Sequence, residues 1–191
     1  MVARLLDGRL GVATPRILLA DSSKTLIDLG FVMMERLDGK SLVGLEPALD
    51  RSDTYAIYAQ MGRVLREIHA IMMDSFGYIG ASLCHFGFHT GNVLAARRGG
   101  SLRLTGVVDL ENPIAGDPPM DLAKTIAYSV RDDETKRAGL LAGYGPIDRR
   151  NWRETMMLYQ LYGAIVLWAW WTQIGDHQRA TSIIDDLERY G

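Results

Sequence analysis

A chain of 191 residues with 48 % hydrophobic and 23 % charged residues has an ordinary globular composition, enough for one sizeable domain or two small lobes around a cleft. A formal charge of −2 without any basic stripe gives a nucleic-acid partner no electrostatic support. The single cysteine, Cys84, excludes an intrachain disulfide, and without an apolar leader sequence the expected compartment is the cytoplasm.

Residues 12–20, VATPRILLA, open with a proline turn and continue apolar. DSSKTLIDLG is a polar loop, and FVMMERL (31–37) is a second apolar run closed by DGKSL. Two such runs joined by a polar loop predict an antiparallel strand pair. DRSDTYAIYAQMGRVLREIHAI (50–71) reads as a helix. Ile57, Met61, Val64, Leu65 and Ile68 form one apolar stripe, with Ser52 or Asp53 as the expected cap. FGYIG (76–80) is a turn, and NVLAARRGGSLRLTGVVDL (92–110) reads as strand, turn, strand. DPPMDLAKTIAYSV (117–130) is a helix with prolines near its start and Leu122, Ile126 and Val130 on its apolar side. Residues 133–142, 151–174 and 177–190 complete the helices. YQLYGAIVLWAWWTQIG (159–175) falls short of the roughly 20 residues of a bilayer span. It also follows Arg149, Arg150, Arg153 and Glu154, so it reads as a buried helix and no membrane partner is expected. There is no internal repeat or low-complexity tract, and the order of elements is α+β with a mostly helical second half.

Two polar clusters stand at the two ends of the predicted hairpin. The first is His85-x-x-x-His89-x-Gly91-Asn92; the second, VVDLENPIAGDPPMDLA, holds Asp109, Glu111, Asp117 and Asp121. A hairpin brings its ends together, so Asn92 and Asp109 can face one cleft. An amide oxygen beside a carboxylate suits Mg²⁺, a hard cation that prefers oxygen ligands and can bridge nucleotide phosphates. On spacing alone the bland alternative is equally good: Asn92 closes a turn and Asp109 ends a strand.

HFGFHTGNVL followed by LTGVVDLENPIAGDPPMDLA resembles the aminoglycoside phosphotransferase family, also called the phosphotransferase enzyme family. That family usually shows H-G-D-x-H-x-x-N in its catalytic loop, then I-D-W-E/D and G-D-P-x-x-D-L-A segments. The resemblance implies a protein-kinase-like fold: residues 1–37 as a remnant of the N-lobe strands and hinge, and residues 38–191 as a helical C-lobe with a catalytic-loop hairpin. It implies ATP or GTP bound between the lobes, with Met34, Glu35, Arg36 and Leu37 as the hinge. Asn92 and Asp109 would hold Mg²⁺, and Glu111 would be a second acidic group near the metal or the acceptor. Asp121 would support the catalytic loop through backbone hydrogen bonds, and His85 would brace it. The acceptor would be a small-molecule hydroxyl of unspecified kind.

Three departures bear on activity. Gly87 stands where the family has its catalytic aspartate, and nothing between Ala81 and Val108 is acidic. His89 is the nearest titratable substitute. The family's glycine-rich phosphate loop and strand lysine are not found ahead of Val12, and the helical segment that usually separates the FGYIG-like turn from the catalytic loop is missing between Gly80 and Ala81. That last loss is expected to uncover the helix carrying Trp168, Trp170 and Trp171, where a homodimer would form. Two functional readings follow: a small-molecule kinase of impaired activity, or a catalytically dead pseudokinase that binds a nucleotide or a protein.

Overall fold

The computed structural model describes residues 3–74, 77 and 80–188. In chain order the elements are α1 (Ala3–Leu6), β1 (Ile17–Asp21), β2 (Phe31–Met34), β3 (Lys40–Ser41), α2 (Leu42–Leu45), α3 (Arg51–His69), β4 (Ser82–Cys84), β5 (Val93–Arg98), β6 (Ser101–Val107), β7 (Ile114–Gly116), α4 (Pro118–Thr125), α5 (Glu134–Tyr144), α6 (Trp152–Gln173) and α7 (His177–Glu188). A π-helical turn, Ile126–Val130, continues α4. The architecture is the expected α+β arrangement.

The strands form three small sheets, each positioning a different part of the cleft. β1 and β2 pair antiparallel as expected, with Asp21 opposite Phe31. β5 and β6 form the predicted hairpin, closed at Gly99 and Gly100, whose φ values of +57° and +82° require glycine-like freedom. Two pairings were not legible in the sequence. β3 adds to the free edge of β5, and β4 pairs with β7 so that Cys84 lies opposite Ile114. Both involve strands of two or three residues, too short for any alternation to register. An antiparallel bridge between Met72 and Ser82 sets the segment after α3 beside β4. The FGYIG turn lies largely outside the described residues.

α3 is the core of the molecule. Ile57, Met61, Leu65 and Ile68 are fully buried on the predicted stripe, each contributing roughly 1.5–3 kcal/mol. Its cap is neither Ser52 nor Asp53: the Asp50 carboxylate accepts the Asp53 N–H at 2.7 Å, so the helix starts slightly earlier than expected. α5 crosses α3 at glycine-limited distance. A Cβ on Gly143 would lie 1.9 Å from Ala59 O, and one on Gly62 would lie 2.1 Å from Leu140 O. Leu6 from the N-terminal segment joins the same core, and the Gly11 N–H donates to Glu67 Oε2 at 2.7 Å.

The apolar stretch 159–175 is helical but not buried. Only Ala164 is enclosed there, while Ile165, Val166, Trp168 and Trp170 are 42–48 % exposed. Among the described residues α6 packs mainly against α4 and α7, and much of its circumference stays exposed. Among the described residues, no helix is long and apolar enough to cross a membrane.

The α3–α5 crossing gives a direct test. Gly143→Ala is expected to lower unfolding stability by about 1–3 kcal/mol, because a methyl group has only Ala59 backbone to meet. Gly163→Ala, on α6 with nothing within 4 Å, is expected to be neutral or stabilising by up to about 1 kcal/mol. Urea denaturation of the two variants reads out the difference.

Candidate active site

The loop from Cys84 to Asn92 leaves β4 and enters β5, and a single buried carboxylate holds it. Asp121, on the first turns of α4 and fully buried, accepts the His85 N–H at Oδ2 (2.7 Å) and the Phe86 N–H at Oδ1 (3.1 Å). His69 Nε2 from the end of α3 lies 3.3 Å from the same Oδ2, and its Nδ1 lies 2.8 Å from the Tyr144 hydroxyl. Helices α3, α4 and α5 thus converge on the start of the loop. His85 Nε2 reaches Val108 O at 3.0 Å and so bridges the loop to the strand end that carries Asp109.

Asn92 and Asp109 meet across the mouth of the β5–β6 hairpin. Asn92 Nδ2 donates to Asp109 Oδ2 at 2.8 Å and to Gly87 O at 2.9 Å. With both amide hydrogens so directed, Asn92 Oδ1 is the acceptor left for a cation, beside an exposed carboxylate. The two oxygen donors are of the type that Mg²⁺ takes.

Gly87 sits against this pair. A Cβ there would lie 3.5 Å from Asn92 Nδ2, 3.6 Å from His85 Nδ1 and 3.8 Å from Asp109 Oδ2, all ordinary contacts. His85 Nδ1 is the buried side-chain polar atom without a hydrogen-bond partner among the described residues, and it borders this vacant side-chain position. The neighbouring Phe86 has φ +61° and Asp109 has φ +63°, two non-glycine residues in the left-handed region flanking the same point. The conformation at 86 is one that glycine takes without strain.

His89 is poorly disposed as a base. Its Nδ1 accepts the Gly91 N–H at 3.1 Å, which occupies its basic lone pair, and Nε2 faces Asn92 Nδ2 at 3.3 Å. Burial pushes its pKa below the ordinary 6.5, helped by His85 and by Lys124. Burial also lowers the His85 pKa, against opposing contributions from Asp121 and Asp109.

The hinge residues and Glu111 lie elsewhere. A cleft of about 750 Å³ runs between the β1–β2 hairpin and residues 110–113, walled by Ile17, Ala20, Phe31, Val32 and Met34 on one side and Glu111 on the other. Met34 therefore lines the cleft, whereas Glu35, Arg36 and Leu37 are not among its walls. The Glu35 N–H already donates to Arg16 O at 2.8 Å, and Leu37 packs toward Gly106. Sequence reasoning missed Lys124, whose Nζ donates to Phe86 O at 2.6 Å and lies 4.2 Å from the Phe86 ring. A lysine on the face of α4 opposite Leu122 carries no signal that it turns toward the loop. Asp117 was noted but its role was not: it receives Arg149 Nη1 at 2.5 Å and the Tyr159 hydroxyl at 2.8 Å, tying the start of α4 to α6. Burial and that carboxylate push the Tyr159 hydroxyl up to about 12.

The model of the phosphotransferase enzyme family matches the chain in two pieces, residues 1–82 and 80–158, which meet where the intervening helical segment was expected. Similar solved structures include the GDP and kanamycin complex of APH(2″)-IIIa, with TM-score 0.72, 14 % identity, and coverage of 98 % of this chain and 78 % of that one. ADP-bound aminoglycoside phosphotransferase APH(2″)-Ib gives 0.67, 16 %, 98 % and 78 %. A putative aminoglycoside phosphotransferase from Ralstonia eutropha gives 0.70, 15 %, 99 % and 78 %. At such identities the likeness shows the fold, which is the kinase-like fold of these enzymes. No curated protein matches the chain.

Two outcomes are expected. Asp121→Asn presents an amide donor to the buried His85 or Phe86 N–H and is expected to remove on the order of 3 kcal/mol of stability, read by urea denaturation. His85 and His89 are held neutral in the folded chain, while the unfolded chain takes up protons near pH 6.5. Stability is therefore flat above that value, falls as pH drops through it, and levels off below the depressed folded pKa values. The thermal midpoint is expected to fall on acidification from about pH 7.5 to 5.5, and to fall less in His89→Asn, which keeps an acceptor for the Gly91 N–H.

Proposed function

The chain belongs to the phosphotransferase enzyme family, and from that premise we propose that it binds a nucleoside triphosphate with Mg²⁺ in the cleft beneath the β1–β2 hairpin and transfers phosphate to a hydroxyl poorly or not at all. The observation that carries this reading is the pairing of Asn92 with Asp109 at 2.8 Å around a glycine that offers no side chain. Residues 1–37 would act as the remnant upper lobe and residues 38–191 as the lower one.

The cleft wall of Ile17, Ala20, Phe31, Val32 and Met34 is apolar and suits the faces of a purine. The relatives solved with GDP or ADP support a nucleotide there. Asn92 Oδ1 and the Asp109 carboxylate would hold the metal, with Glu111 on the same side of the cleft. Bound there, Mg²⁺ would neutralise charge on the phosphates. Asn92 is kept in place by its bond to Gly87 O, so the metal-holding geometry does not depend on a side chain at 87.

The proton is what lacks a destination. A hydroxyl acceptor needs a group that takes or orients its proton, and a positioned base contributes about 10²–10⁴ in rate. Gly87 offers none, and His89 has its lone pair occupied by the Gly91 N–H. The exposed face of α6 around Ile165, Val166, Trp168 and Trp170 supports self-association as a further property of the chain.

Calorimetric titration with ATP, with and without Mg²⁺, is expected to show binding that requires the metal and is lost in Asp109→Ala. Gly87→Asp, alone and with Phe86→Gly, is expected to leave binding intact and raise turnover with hydroxyl acceptors by about 10²-fold or more. Metal-independent binding, or wild-type turnover equal to that of Gly87→Asp, would overturn the reading.

A further inference from the structure

A second cavity, of about 430 Å³, opens between the π-helical turn and helices α6 and α7. Its volume is in the range of small-molecule sites, ~300–1,000 Å³. Four observations single it out. The first is charge: among its described lining residues are Lys124, Arg131 and Arg137 against one acid, Asp132, a balance of three positive to one negative. The chain as a whole is slightly acidic, at −2, so this concentration of cations is local.

The second is backbone geometry. The π-helical turn Ile126–Val130 forms one wall, and Arg131, which ends it, has φ +51° and ψ −125°, a conformation disfavoured for a residue with a side chain. π-turns and strained non-glycine residues concentrate at functional sites. The third is continuity with the loop. Lys124 lines the cavity and donates to Phe86 O, while Tyr128, also lining it, packs its ring 6.2 Å from that of His89. The cavity therefore shares two walls with residues 86–92. The fourth is that Gln160 and Ser182 add neutral hydrogen-bonding groups to the same walls.

We propose that this cavity is the acceptor side of the cleft and takes a hydroxylated anion, a carboxylate or a phosphate ester, held by Arg131, Arg137 and Lys124. The assignment rests on the nucleotide reading above for its connection to phosphoryl transfer. It differs from a site for polyamines such as kanamycin, which the lining cations would repel. Burial lowers the Lys124 pKa, and a bound anion would favour the charged form that burial penalises. Arg137 already reaches Arg131 O at 3.1 Å and lies 3.7 Å from the well-exposed Glu134 carboxylate, a pair weak enough to yield to a ligand.

The test is calorimetry on the full chain with gluconate, glycerol 2-phosphate and kanamycin as probes, each with and without MgATP. Saturable binding of at least one anion, weakened about tenfold or more in Arg131→Glu/Arg137→Glu and exceeding kanamycin affinity, is the expected result. Should the double charge reversal lower the melting temperature, the single variants Arg131→Gln and Arg137→Gln replace it in the comparison. No binding of either anion, equal affinity in wild type and variants, or tighter binding of kanamycin would overturn the assignment. The MgATP titration of the same protein separates the two readings. Anion binding that depends on the arginines without any MgATP binding leaves the cavity assignment standing and removes the nucleotide reading. MgATP binding without anion binding does the reverse.

Discussion

The Asp121 carboxylate is the point on which the site depends. It is fully buried, and its two oxygens receive two consecutive backbone N–H groups of the catalytic loop and face His69. A carboxylate placed there without those partners would be strongly unfavourable, and the partners without it would be buried donors left unpaired. Each side therefore stabilises the other, and the loop takes its shape from α4. Everything downstream follows from that shape: the turn at Phe86, the position of Gly87, and the approach of Asn92 to Asp109.

The same arrangement explains how the loop keeps its geometry with a glycine at position 87. None of the hydrogen bonds that hold residues 85–92 involves the side chain of residue 87; Asn92 uses the backbone carbonyl of that residue instead. The brace and the Asn92–Asp109 pair therefore hold together with glycine at 87. His85 Nδ1, beside that position, is a buried polar atom without a hydrogen-bond partner among the described residues. A phenylalanine at the left-handed position 86 is the second irregularity, and its ring now lies over the Lys124 ammonium.

The two cavities differ in character. The cleft under the β1–β2 hairpin is walled mainly by aliphatic and aromatic side chains, while the one beside α6 and α7 gathers cations. At the α3–α5 crossing, glycines bring the helix axes close enough for Tyr144 to reach His69, and so link the helix platform to Asp121.

Much of this was legible in the sequence. The α3 stripe, the Gly-Gly hairpin and the proline start of α4 rest on local rules of periodicity and turn chemistry, and they need no tertiary information. The ordered run from His85 to Ala123 carried the family, because motif spacing survives in the linear chain. The proximity of Asn92 to Asp109 was inferable as well, since a hairpin of known length joins its own ends. What only the tertiary structure decided depends on contacts between distant segments. The pairing of β4 with β7, the capture of Tyr144 by His69 and the turn of Lys124 toward Phe86 all involve partners that local pattern does not name. The stretch 159–175 shows the limit most plainly: apolar composition makes it a helix that favours burial, but whether it is buried depends on which elements lie beside it, and α4 and α7 cover only part of its surface.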